Sequence, residues 1–300
     1  MKKQSRLAVA LLVGLPMIVF TSCGGDEPVK DVVEDVVVED VVDDEVKNES
    51  YYQIPSPDEM FGFIKESGLE YNAELLNPTQ NVNSYTTPNA QALNFGVYSA
   101  ELAYTAAFGE FDNTIKYFGT IQKLADQIGI SSAFDKALIE RVQGNLDNVD
   151  SLVSITNTSY FAVVDYLEQN EQGDKLGIIA SAGWLETLYI VANSTDYAKN
   201  PSAVERLADQ KLTLENLLDY LEAYNSNADV ASLIASLTDL STAFDALGEE
   251  ESGTGISLKK KEDGKMVLGG GNTISITEAQ FNALKEKINK IRNSIINTEA

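Results

Sequence analysis

The sequence holds no histidine and one cysteine in 300 residues, and its 22 lysines and arginines face 46 aspartates and glutamates. Each shortage excludes something. Without histidine, proton transfer near neutral pH falls to carboxylates, lysine or tyrosine. Zinc sites draw mainly on histidine and cysteine, so no metal or cofactor is expected. A lone cysteine cannot form a disulfide within the chain. A net charge of −24 repels phosphate backbones, which argues against nucleic acid as a partner. The run Gly269-Gly270-Gly271-Asn272-Thr273 lacks the lysine and the strand-to-helix setting of a phosphate loop. No serine stands in a nucleophile elbow, and no run matches the alternating acids of a calcium loop. No catalytic residue is assigned.

What is present begins at the N-terminus. Lys2, Lys3 and Arg6 precede an uncharged run, 7–20, "LAVALLVGLPMIVF". It is shorter than the roughly 20 apolar residues that cross a bilayer, and Gly14 and Pro16 weaken a permanent helix. Its length suits a secretory signal, closed by the small residues Thr21 and Ser22. The order apolar run, Thr21, Ser22, Cys23, Gly24 resembles the lipobox of bacterial lipoproteins, with Phe20 where leucine is most common. That resemblance implies cleavage before Cys23, a diacylglyceryl thioether on its sulfur and an amide-linked acyl chain such as palmitate. Membrane lipid is then the first partner. One acyl chain binds only marginally, so several are needed for a stable anchor. The plainer alternative is an ordinary cleaved signal with a thiol nearby.

Residues 24–50 carry eleven acids against Lys30 and Lys47, in units of valine pairs and acid pairs. Like charges repel and stay hydrated, so an extended spacer is expected. Valines four apart, such as Val32/Val36 and Val38/Val42, also permit an amphipathic helix. Gly24, Gly25, Asp26 and Glu27 resemble the acidic signal that sends Bacteroidota lipoproteins to the cell surface. The expected organisation is a signal peptide at 1–22, a lipidated cysteine and acidic stalk at 23–50, and one helical domain at 51–300.

The body reads as helices. Ser56, Pro57 and Glu59 form a capping signature, and Gly68 ends that helix. Further runs begin at Pro88 and Asp112 and, toward Gly144, at Ser131 or Ser132; others cover 148–169, 174–193, 201–224 and 228–247. The last helix opens with Thr277 and Gln280 as a capping box, and Phe281, Leu284, Ile288, Ile291 and Ile295 form its stripe. Before it, Asp263-Gly264 signals a hairpin, with a third strand possible at Ile274 and Ile276. Lys259-Lys260-Lys261 is the one basic cluster, read as a hydrated hairpin tip or a docking point for an anionic partner. The expected fold class is all-α: a multi-helix bundle with one small β-hairpin insertion before the C-terminal helix.

Two helices look buried on every face: 93–108, "LNFGVYSAELAYTAAF", and 178–192, "IIASAGWLETLYIVA". Each carries one lone carboxylate, Glu101 or Glu186, near Tyr98, Tyr104, Trp184 and Tyr189. A buried carboxylate must be paired, protonated or face a cavity. One reading is a pocket for a cation or small ligand, or a carboxylate-based hydrolytic site. The other is that each acid reaches a helix end, a tyrosine or one of the few arginines. Asp150-Ser151-Leu152 matches a short O-glycosylation pattern of secreted Bacteroidota proteins. The stretches "IPSPDEMF", "LNFGVYSAELAY", "GISSAFD" and "SAGWLETLY" resemble helical outer-membrane lipoproteins of the Bacteroidota. The resemblance implies an exported helical domain and brings no activity with it. Together these features point to a lipid-anchored, surface-facing outer-membrane module with a protein or glycan partner.

Overall fold

The computed structural model describes residues 57–134, 136–145, 148–250, 257–260, 266–269 and 273–297. The chain separates into two units, 1–43 and 44–300, and every described residue belongs to the second. Cys23, Gly24, Gly25, Asp26 and Glu27, and the turn at Asp263-Gly264, lie outside the described residues.

Ten α-helices and two short β-ladders make up the described chain. The helices are α1 (Pro57–Glu66), α2 (Pro88–Ala107), α3 (Phe111–Ile128), α4 (Lys136–Gln143) and α5 (Val149–Gln169). They continue as α6 (Gly173–Ser194), α7 (Pro201–Ala208), α8 (Gln210–Glu222), α9 (Ala228–Asp245) and α10 (Glu278–Ile296). The fold is an all-α bundle with one small β insertion ahead of the C-terminal helix.

Local chemistry explains most of the ends. Thr87 accepts a hydrogen bond from the Ala90 N–H and Pro88 occupies the first helical turn of α2. Asn148 caps α5 through the Ser151 N–H, and Thr277 with Gln280 forms the reciprocal capping box of α10. Gly129 ends α3 at φ 77°, a left-handed conformation that glycine adopts without penalty.

Three expectations need correction, and one stretch carried none. Ser131 begins a 3-10 turn, Ser131–Ala133, and α4 starts only at Lys136. The single run 201–224 is divided between α7 and α8. At the division the Gln210 side-chain amide approaches the Arg206 carbonyl at 3.4 Å, while its oxygen accepts the Trp184 indole N–H at 3.1 Å. A side chain reaching into the i→i−4 ladder bends a helix. The third strand does not join the hairpin. Ile274 lies in β4 (Thr273–Ser275), which pairs antiparallel with β1 (Gly248–Glu250), while Ile276 lies just beyond that strand; β2 (Ser257–Lys260) pairs with β3 (Met266–Gly269) inside that outer ladder. Glu249 and Glu250 gave no strand signal, because acids are poor strand formers. Finally, the stretch between α1 and α2 is built from two 3-10 turns, Ala73–Leu75 and Thr79–Asn83, which no periodicity announced.

α2 and α6 form the centre. From Asn94 to Ala107 only Ser99 is partly exposed, and from Leu176 to Ala192 only Tyr189. α6 is long and apolar enough to cross a membrane, but its apolar window is 89% buried within the bundle, the mark of a core helix. The two helices touch through their glycines. A Cβ on Gly96 would fall 2.2 Å from the Ile179 carbonyl oxygen and 2.9 Å from the Gly183 nitrogen, so only glycine fits there. The outer helices α3, α5, α9 and α10 lay apolar faces on this pair.

Candidate functional site

Both lone carboxylates point inward and meet. Glu101 comes from the middle of α2 and Glu186 from the middle of α6, and each is 0% exposed. Between them comes Arg292, from the last turns of α10. Its guanidinium donates from Nε to Glu186 Oε2 at 2.9 Å and from Nη2 to Glu186 Oε1 at 3.1 Å, a two-pronged bond. The same Nη2 lies 3.7 Å from Glu101 Oε1 and donates to the Leu75 carbonyl at 3.1 Å. The Tyr189 ring lies beneath the guanidinium, 4.2 Å from its centre.

A loop residue completes the cluster. Asn77 is 0% exposed and uses every polar group it has. Its backbone N–H donates to Glu101 Oε1, and its carbonyl accepts from Tyr117 Oη at 3.1 Å. Its side-chain amide donates to Tyr85 Oη at 2.9 Å and to Asn94 Oδ1 at 3.3 Å, and its side-chain oxygen accepts from Asn81 at 2.8 Å. Asn94 and Tyr85 in turn donate to the carbonyls of Ile295 and Ile296, so the C-terminal end of α10 finds its hydrogen bonds inside the protein.

Two carboxyls share one guanidinium, so their protonation is constrained. Burial pushes Glu101 well above the ordinary carboxylate range, and the charge of Glu186 pushes it further; the Asn77 N–H and Arg292 only partly oppose this. Burial also raises Glu186, against the pull of Arg292. Burial alone would lower Arg292, but Glu186 and Glu101 outweigh it and raise it. Glu101 Oε2 is buried and has no hydrogen-bond partner among the described residues. Two buried carboxyls beside one guanidinium leave one negative charge unbalanced, and a single proton on the pair removes it. Placed on Glu101, that proton makes the cluster neutral: one acid, one carboxylate, one guanidinium.

The pair converges without a void. A carboxylate that borders a water-sized space shows some accessible surface, and neither does. The space a cation or small ligand would need between them is filled by Arg292. Of the other candidates, Tyr189 alone joins the guanidinium directly. Tyr98 donates to the Pro78 carbonyl at 3.0 Å. Tyr104 accepts from the Asn72 N–H at 2.9 Å, and Trp184 binds Gln210. These three fix loops and helix ends. Ser151 sits in the first turn of α5, its N–H held by Asn148, beside the buried Leu152. Lys259 and Lys260 fall in β2, opposite Val267 and Met266.

Arg292 and Asn77 were not singled out from the sequence. A signal for Arg292 existed: it follows Ile288 by four and precedes Ile295 by three, so it lies inside the buried stripe of α10. Asn77 had none, because its role comes from long-range packing of an irregular loop.

Concave features elsewhere are of a different kind. A cavity of about 30 Å³ between α2, α3, α5 and α6 is lined by Phe95, Leu102, Ile121, Phe134, Val163 and Ile179. A groove of about 600 Å³ runs between α1 and α5, past Lys65, Val153, Asn157 and the half-exposed Phe161. Among the described residues, no three histidine, cysteine, aspartate or glutamate side chains gather as a metal site. Compared with known proteins, the chain matches no family model, no curated protein and no solved structure.

Proposed function

We propose that this chain is a lipid-anchored module of the outer membrane, held by acylated Cys23 and facing the cell surface. It binds or organises a protein or glycan partner and does not transform a substrate. The observation that carries the reading is the placement of Cys23, behind the apolar run 7–20 and ahead of Gly24, Gly25, Asp26 and Glu27. The acidic stretch to residue 50 then holds a folded body away from the lipid surface. The commitment of Glu101 and Glu186 to Arg292 supports a non-catalytic role, because the two buried acids among the described residues are used to join helices.

Labelling of growing cells with an alkyne fatty acid, followed by protease shaving of intact cells, tests attachment and outward orientation together. The wild type takes up label and is shaved. Cys23→Ser loses the label and leaves the membrane fraction; retention of that variant in the membrane would contradict the anchor.

A further inference from the structure

We propose that the Glu101–Glu186–Arg292 cluster is a proton-dependent latch for the C-terminal helix: one proton shared by the two carboxyls lets a single guanidinium balance the site, and its removal loosens the last turns of α10.

The geometry sets the balance. Two carboxyls from α2 and α6 face one cation from α10, at 2.9 Å, 3.1 Å and 3.7 Å, and no water-sized void touches either acid. A second full negative charge would have neither solvent nor, among the described residues, another cation to offset it. The remaining groups that face the cluster, among the described residues, are Asn77, Tyr71 and Tyr85 from the stretch between α1 and α2, Tyr98 from α2, Tyr117 from α3 and Tyr189 from α6. Asn77 does not titrate. The five tyrosines are each held above their ordinary range, chiefly by burial, so they stay neutral through physiological pH.

What the latch holds is local. The first part of α10 packs through Phe281, Leu284 and Ile288, all buried. Its last turns pack through Ile291 and Ile295 and add to this Arg292 and the Asn94 and Tyr85 bonds to the carbonyls of Ile295 and Ile296. Those two side chains also contact Asn77, whose N–H is bound to Glu101. Ionising Glu101 therefore acts on the same turns from both sides.

The sign follows from where the proton is held. The folded chain keeps a proton that an unfolded glutamate releases near pH 4.3 or thereabouts. The cluster's stability is complete below that pH and declines as pH rises toward the folded value, by about tenfold in the unfolding constant per pH unit. The chain has no histidine, so little else titrates between pH 6 and 8. The shifts of Glu168, Lys175 and Lys285 come chiefly from their own burial and are common to wild type and variant.

The experiment uses the full chain and its near-isosteric variant Glu101→Gln, which replaces the shared proton with a permanent donor. Infrared spectra at pH 7 should show a buried carboxylic-acid carbonyl band in the wild type that is missing from the variant. From pH 6 to 8 the wild-type unfolding constant should rise, by at most about tenfold per pH unit. Amide exchange across residues 288–296, corrected for intrinsic rates, should accelerate over the same range. In Glu101→Gln both should stay nearly flat. The absence of the acid band from the wild type would overturn the proposal without reference to any variant. Equal pH slopes in the two proteins would overturn it as well.

Discussion

The two central helices meet twice, and the two meetings are built from opposite materials. Near Gly96 and Gly183 the backbones of α2 and α6 approach until a Cβ on Gly96 would strike a carbonyl at 2.2 Å. Five residues further along α2, and three along α6, the same pair presents Glu101 and Glu186 to each other. The first meeting is dry and involves only its own two helices. The second is unstable without Arg292 from a helix that begins nearly a hundred residues later. A close backbone approach needs only small side chains. A buried charge needs a partner, and the partner must come from elsewhere in the fold.

The sharpest way to break the comparison is at the polar meeting. Arg292→Met keeps much of the side-chain volume and leaves Glu186 buried without its cation. A loss of about 3–5 kcal/mol is expected at neutral pH, measured by chemical denaturation. Adding Glu101→Gln and Glu186→Gln to Arg292→Met should recover much of that loss, because the cost lies in the unpaired charge.

Gly96→Ala comes next. The nearest atoms belong to backbone, which cannot rotate away, so α2 and α6 must separate. A loss of about 1–3 kcal/mol or more is expected even after the helix-propensity gain of alanine. Gly183→Ala should have the smallest effect, since its Cβ would lie 3.2 Å from the Gly96 carbonyl oxygen, tight but outside a hard clash. The propensity gain of about 1 kcal/mol roughly offsets that contact. Melting curves of the two variants should separate clearly; equal losses would show that the two glycines matter equally to the crossing.

Much of this was legible beforehand. Helix ends were readable where a side chain bonds its own backbone, as at Thr277 and Gln280 or at Gly129. The two core helices were legible because apolar residues run round every face, with few polar ones among them. The plainer reading of Glu101 and Glu186, that each acid finds a helix end, a tyrosine or an arginine, matches what the side chains do. The α7–α8 bend was not legible, since it depends on Gln210 meeting Trp184 from another helix. Asn77 was equally hidden, because its partners come from α2, α3 and the loop itself.

By itself, then, the order of residues determined the helical class, the capped ends, the two core helices and the presence of two acids that could not stay alone. These follow from interactions within a few residues, or from the simple need to bury apolar surface. Tertiary structure alone decided that both acids would face the same arginine, that the space between them would close, and that one proton would have to be shared. Charge balance in a dry interior depends on distance in space, and no spacing along the chain encodes it.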